Sequence, residues 1–310
     1  MSKIAFVFPG QGSQTVGMGK DLYDNYEIAK KIYAQADEIM GLPLSTISFE
    51  GPVELLTQTH ITQPALFVHS YILTQLIGDK LTANSTAGHS LGEYSANVYA
   101  QSINFEEGLR LVKRRGELMK ESGVIRPGTM AAVIGLNEEQ IDLVCKEARE
   151  HQIVQPANYN APGQVVISGD VEAVRRAMAI AKAEPYNSKM VKELQVSGAF
   201  HSELMVTSSE ELRVAIFETP FKDALIPVYS NAEAEPFQMK SAIMNSLFRQ
   251  LMSSVKWMQL ITNMINDLNV KRFYEIGSGK VLTGLIKRIN PEVELYNIGT
   301  IDDIKNLSVE

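Results

Sequence analysis

The stretch Gly88-His89-Ser90-Leu91-Gly92 constrains the fold most, because a serine flanked two residues away on each side by glycine is how a strand turns sharply into a helix. The glycines let two backbones crowd together and leave Ser90 exposed at a tight elbow. At ordinary glycine and serine usage, a 310-residue chain shows this pattern by accident about 0.1 times. An ordinary glycine-flanked turn therefore stays open as a reading until a base and an oxyanion site are found nearby.

A second glycine-rich turn lies at the start of the chain. Ile4 to Phe8 is a short apolar run closed by Pro9-Gly10, followed by Gln11-Gly12-Ser13-Gln14, the pattern of a buried strand ending in a loop. A dinucleotide fingerprint would need glycine at Thr15, and Gly277-Ser278-Gly279-Lys280 lacks the spacing of a phosphate-binding loop. What remains is a loop of free backbone N–H groups beside a strand end, suited to a negative oxygen. The apolar run is too short for a signal-peptide core or a membrane span, so a cytoplasmic protein with no membrane partner is expected.

Cys145 is the only cysteine, which excludes an internal disulfide or thiolate cluster, and it reads as a buried helix residue. The net charge of −7 argues against a nucleic-acid partner. No metal site is expected: His60 and His69 lack a third ligand, and His-Glu-x-x-His does not occur.

Between Met130 and Gln195 the pattern tightens. Strand Met130 to Ile134, helix Glu138 to Glu150, strands Ile153 to Tyr159 and Gln164 to Ser168, helix Val171 to Lys182 and strand Ser188 to Gln195 give βαββαβ, the ferredoxin-like order. Asn137 with Gln140 forms a capping box for the first helix, and Asp170 is expected to cap the second. Ile226 to Ser230 and Arg272 to Ile276 are further strand-like runs between helical segments. That alternation predicts a mostly parallel sheet covered on both faces. The fold class is thus α/β: a large body from residues 1–126 and 198–310, interrupted by a small domain at 127–197.

A serine hydroxyl needs a base, most often histidine. His89 would project away from Ser90, and His60, His69 and His151 have no site-like neighbours. His201 closes the small-residue stretch Val196-Ser197-Gly198-Ala199-Phe200, where the chain returns to the large body; a structural imidazole is the alternative there. On the helix opened by Asn104 and Glu107, read as a second capping box, Leu111, Val112, Leu118 and Met119 surround Arg115 at helical spacing. Arg115 is therefore expected to point inward, with Lys113, Arg114 and Glu117 on the polar side. A buried guanidinium stays charged and needs a carboxylate or phosphate, which leaves an internal salt bridge and a substrate clamp both open.

Taken together, Phe8-Pro9-Gly10-Gln11-Gly12-Ser13-Gln14, Gly88-His89-Ser90-Leu91-Gly92-Glu93-Tyr94, Arg115-Gly116, Asn158-Tyr159-Asn160-Ala161-Pro162-Gly163-Gln164, Gly198-Ala199-Phe200-His201-Ser202 and Glu275-Ile276-Gly277 resemble the malonyl-CoA:acyl carrier protein transacylases. The resemblance runs over nearly the whole chain and implies an α/β-hydrolase-like body with a ferredoxin-like insert. It implies Ser90 as nucleophile, His201 as base, and the backbone N–H groups of Gln11 and Leu91 as oxyanion hole. Arg115 would grip the malonyl carboxylate, Phe200 would crowd the α-carbon, and a Gln250 carbonyl would orient the histidine; Gln250 and Asn158 join the substrate-binding set. Ser253, Ser254 and Ser278 stand where that family commonly has proline, and polar Asn84-Ser85-Thr86-Ala87 precedes the elbow where an apolar strand is expected.

The implied partners are malonyl-CoA and an acidic, phosphopantetheinylated acyl carrier protein, met by a monomer that needs no cofactor and no metal. Lys189, Lys192, Lys287 and Arg288 are candidates for the carrier's landing site on a net-negative enzyme. The alternatives are a trans-acting acyltransferase of a polyketide synthase and a serine thioesterase or hydrolase with water as acceptor.

Overall fold

The computed structural model describes residues 3–307. Its ten strands are β1 (Lys3–Phe8), β2 (Ser85–Gly88), β3 (Gly128–Ile134), β4 (Val154–Ala161), β5 (Gln164–Asp170), β6 (Met190–Glu193), β7 (Val228–Tyr229), β8 (Pro236–Phe237), β9 (Val270–Ile276) and β10 (Glu294–Ile298). They form two sheets, in the orders β10-β9-β1-β2-β7-β8 and β4-β5-β3-β6.

The larger sheet is parallel except for its last pair, β7 with β8. β1 lies at its centre, flanked by β2 and β9, and Ala5 to Phe8 have no exposed surface. A strand covered on both faces reads as a continuous apolar run rather than an alternating one, as Ile4 to Phe8 does. The polar strand before the elbow is also fully buried. Thr86 donates its hydroxyl to the Phe6 carbonyl at 3.0 Å, which satisfies a group that would otherwise oppose burial.

The helix Thr59–Ile77 is buried on nearly all sides and packs against the helix Phe105–Ile125. A helix apolar all round belongs to the middle of a large body, and this one carries Gln63 into it. On the second helix Arg115 has no exposed surface, while Lys113, Arg114 and Glu117 remain partly exposed. Asn104 caps that helix through the Glu107 N–H at 2.9 Å, so the motif is a single cap rather than the expected reciprocal box.

The small sheet is wholly antiparallel, with the first strand of its βαββαβ order, β3, next to the last, β6, as a ferredoxin-like unit requires. Asn137 and Gln140 make the expected capping box. Asp170 does not cap. It sits at the N-cap of Val171–Lys182, but its carboxylate accepts the Ile153 N–H at 2.7 Å and faces Arg126 at 3.3 Å, partners that outcompete the helix's own N–H groups. Ile226 to Ser230 narrows to the two residues of β7, and β10 adds an edge that the strand-like runs had not included.

Candidate active site

The turn from β2 into the helix Gly92–Tyr99 holds Ser90 at φ 52°, a left-handed backbone that side-chain-bearing residues seldom adopt. The bend survives because its flanks are bare. A Cβ on Gly88 would overlap the Gly92 backbone, and one on Gly92 would overlap the Phe8 carbonyl at the end of β1. Asn231 braces the turn from the opposite side: its Oδ1 accepts the Ser90 N–H at 2.6 Å and its Nδ2 donates to the Gly88 carbonyl at 2.7 Å.

His201 comes to this serine from the far side of the small sheet's insertion point. Ser90 Oγ lies 2.8 Å from His201 Nε2. On the other edge of the ring, Nδ1 faces the carbonyls of Gln250 at 3.0 Å and Ser253 at 3.2 Å. Carbonyls only accept, so Nδ1 carries the hydrogen and Nε2 is left as the acceptor for the serine hydroxyl. Burial, reinforced by the Arg115 cation, pushes His201 down to about 3, although both carbonyls pull the other way. The ring is therefore neutral at ordinary pH and free to take a proton. The turn supplying these carbonyls is tied to the small sheet, with the Ser254 hydroxyl donating to the Pro156 carbonyl at 2.6 Å and Val255 N–H to that of Ala157 at 2.8 Å.

Arg115 points into the same place. Its guanidinium donates to Ser90 Oγ at 3.0 Å, to Gln63 Oε1 at 2.6 Å and to Gln250 Oε1 at 3.0 Å, and it stands 5.5 Å from the Tyr94 ring centre. Among the described residues no Asp or Glu forms a salt bridge with it. An enclosed cation whose hydrogen-bond partners are all neutral, with the Glu93 carboxyl reaching it only through Gln250, has no anion in contact, and an incoming carboxylate would supply one.

These groups line one cavity of about 230 Å³ between the two sheets. Gln11, Leu91, Asn158 and Phe200 line it too. Leu91 is the N-cap of Gly92–Tyr99, and among the described residues neither its N–H nor that of Gln11 is taken by a protein acceptor. Asn158 is buried with its Oδ1 unpartnered, and Phe200 is buried against the same space. The cavity thus joins a hydroxyl with a base, two free N–H donors and an unpaired cation, a set that can move a proton from Oγ, stabilise an oxyanion and hold a carboxylate.

Of the remaining histidines, His89 lines the same cavity, while His60, beside Lys120, His69 and His151 stand apart from it. His89 Nε2 meets Asn160 Oδ1 at 2.8 Å and its ring packs on Trp257, His69 is buried against the Gly299 carbonyl at 3.1 Å, and His151 is exposed. Gln63 and Asn231, both near the site, escaped the sequence reading, and Glu93 entered it only as part of the elbow motif, with no role assigned. For Gln63 the available signal was a polar residue on the inner face of a helix otherwise apolar around it. Of the candidate carrier-facing cations, Lys189, Lys192, Lys287 and Arg288 are all exposed; Lys287 reaches the Pro291 carbonyl at 2.9 Å and Arg288 the Gln164 side chain at 2.6 Å.

No helix among the described residues is long and apolar enough to cross a membrane. The acyl transferase domain family matches residues 5–289. A malonyl CoA-acyl carrier protein transacylase of Bacillus subtilis is 42% identical over 98% of this chain and 96% of its own length. The crystal structure of an acyl carrier protein S-malonyltransferase from Vibrio cholerae superposes with a TM-score of 0.94 at 39% identity, covering 99% of this chain and 100% of that one. A malonyl-transacylase solved in complex with its holo type II polyketide acyl-carrier protein gives 0.93 at 38% identity, with 99% of each chain covered. The chain therefore belongs to the malonyl-CoA:acyl carrier protein transacylase family of acyltransferases.

Proposed function

We propose that this enzyme transfers the malonyl group of malonyl-CoA to the phosphopantetheine thiol of an acyl carrier protein, through a malonyl ester on Ser90, for fatty-acid synthesis. One observation carries the reading most: Arg115, fully buried and without a salt-bridge partner among the described residues, donates a hydrogen bond to the very oxygen that would attack. A carboxylate one carbon beyond the thioester carbonyl would be drawn to that cation and would bring the carbonyl within reach of Ser90.

In the first half-reaction Ser90 Oγ bonds to the thioester carbon while its proton passes to His201 Nε2, and the Gln11 and Leu91 N–H groups receive the charge on the carbonyl oxygen. Collapse breaks the carbon–sulfur bond, and the proton on His201 goes to the departing CoA sulfur. In the second half the carrier's thiol gives its proton to His201 and attacks the ester carbon, and Ser90 leaves with that proton. The Gln250 carbonyl keeps the imidazole in the tautomer both halves need. Asn158 offers its unpaired Oδ1 to the acyl-thioester arm, and Phe200 crowds a branched α-carbon. The reaction calls for no cofactor, and the enzyme is proposed to work as a cytoplasmic monomer. A relative solved with its own carrier protein supports the choice of acceptor.

Mass spectrometry after mixing the protein with malonyl-CoA tests this directly. A malonyl adduct on Ser90 should persist without carrier protein, vanish on addition of holo carrier, and be absent from Ser90→Ala. Adduct lost to water as fast as it forms would make the enzyme a hydrolase instead.

A further inference from the structure

Behind the site lies a buried carboxylate that the reaction steps do not use. Glu93 has 2% of its surface exposed and forms no salt bridge among the described residues. Its Oε2 accepts two hydrogen bonds, from Gln250 Nε2 at 2.7 Å and from the Asn231 N–H at 3.1 Å. Both donors are residues that touch the reacting groups.

The Gln250 amide has one acceptor and one donor end, and its orientation decides what Arg115 meets. With Nε2 held by Glu93 and by the Ser90 carbonyl at 2.9 Å, the Oε1 end is left facing Arg115 at 3.0 Å. A flipped amide would set N–H against N–H at Arg115 and oxygen against oxygen at Glu93 and the Ser90 carbonyl. Asn231, on the other arm, holds the elbow through the Ser90 N–H. Burial raises Glu93 to about 7, while the two hydrogen bonds hold it down, so the carboxyl is costly here and its position is matched to these donors.

We infer that Glu93 is a positioning residue that fixes the Gln250 amide, and through it aims the Arg115 guanidinium, so that part of the preference for a carboxylate-bearing acyl group originates in Glu93. The inference rests on the proposed malonyl transfer. It concerns how the cation is aimed, and Glu93 need not touch substrate.

The test compares single-turnover acylation of Ser90 by malonyl-CoA and by acetyl-CoA in wild type and in Glu93→Leu, followed by mass spectrometry. Leucine fills a similar volume but offers no acceptor, whereas a glutamine would keep both hydrogen bonds through its own amide oxygen, so in Glu93→Leu the Gln250 amide loses one of the two acceptors that fix its direction. The malonyl-to-acetyl rate ratio should fall by about tenfold, the scale of one charge-assisted hydrogen bond misaligned. A purely structural Glu93 would lower thermal stability and leave that ratio within twofold of wild type, which would overturn the inference. Should Glu93→Leu not fold, Gln250→Asn withdraws the same amide oxygen from Arg115 and should lower the ratio equally; an unchanged ratio there is equally fatal. Wild type that fails to acylate with malonyl-CoA at all would instead refute the proposed transfer itself.

Discussion

Arg115 and His201 hold one oxygen between them: the guanidinium donates to Ser90 Oγ at 3.0 Å and the imidazole Nε2 lies 2.8 Å from it on the other side. In the free enzyme the hydroxyl is thus the cation's provisional partner. A substrate carboxylate is a stronger acceptor than a hydroxyl, so binding would release Ser90 from Arg115 while leaving it bonded to its base.

Arg115→Ala should therefore erode selectivity more than chemistry. A hydrogen bond to a charged group contributes about 1.5 to 3 kcal/mol, which corresponds to roughly 10- to 100-fold in the malonyl-to-acetyl ratio of kcat/KM. Steady-state assays with both thioesters measure it. An unchanged ratio would place Arg115 among purely structural cations.

The inward arginine was legible because Leu111, Val112, Leu118 and Met119 mark one helix face, and Ser90 because two glycines mark an elbow. Glu93 and Asn231 were not. Their partners lie more than 130 residues away in the chain, and no local spacing encodes a contact made by the register of separate strands and loops. The same limit hid β10, an edge strand whose alternating exposure leaves only a weak apolar pattern. Asp170 failed as a cap for a related reason: the side chain had a better partner across the sheet than along the helix.

The tautomer and environment of His201 give a titration to measure. Burial comes first and the Arg115 cation second among the causes that push it to about 3, both disfavouring the imidazolium. NMR of the ring nitrogens should show no protonation through the usual imidazole range near 6.5. In Arg115→Ala the repulsive cation is gone, so the midpoint should move upward while burial keeps it below the free value. A wild-type midpoint near 6.5 would mean that the ring is solvated and that the site is more open than its geometry.

Carrier docking should depend on exposed cations around the cavity mouth. Arg288 is a poor probe, because its bonds to Gln164 Oε1 at 2.6 Å and to the Pro162 carbonyl tie the large body to the small sheet beside the cavity. Lys189 and Lys192 are cleaner, since both are exposed near β6 and Leu194, just beyond it, lines the cavity. Lys189→Glu with Lys192→Glu should raise the KM for carrier protein several-fold, more so at low salt, and leave the KM for malonyl-CoA unchanged. Equal carrier KM values at low salt would remove this edge from the docking surface.

The buried Glu93 makes stability depend on pH with a definite sign. Burial, the leading cause, raises its carboxyl from 4.5 to about 7, with the Gln250 and Asn231 hydrogen bonds opposing. Between those two values the folded chain holds a proton that the unfolded chain has released, so folding is favoured at the acid end and loses that advantage as pH rises through about 7. Glu93→Gln cannot ionise and lacks this contribution. In urea titrations of both proteins from pH 5 to 8, the stability of wild type relative to the variant should decline with rising pH and level off above 7. The full shift corresponds to about 3 kcal/mol. A pH-independent difference would mean that Gln250, Asn231 and the nearby Arg115 already keep the carboxylate ionised throughout, making the buried Glu93 a permanent countercharge to the cation it helps to aim.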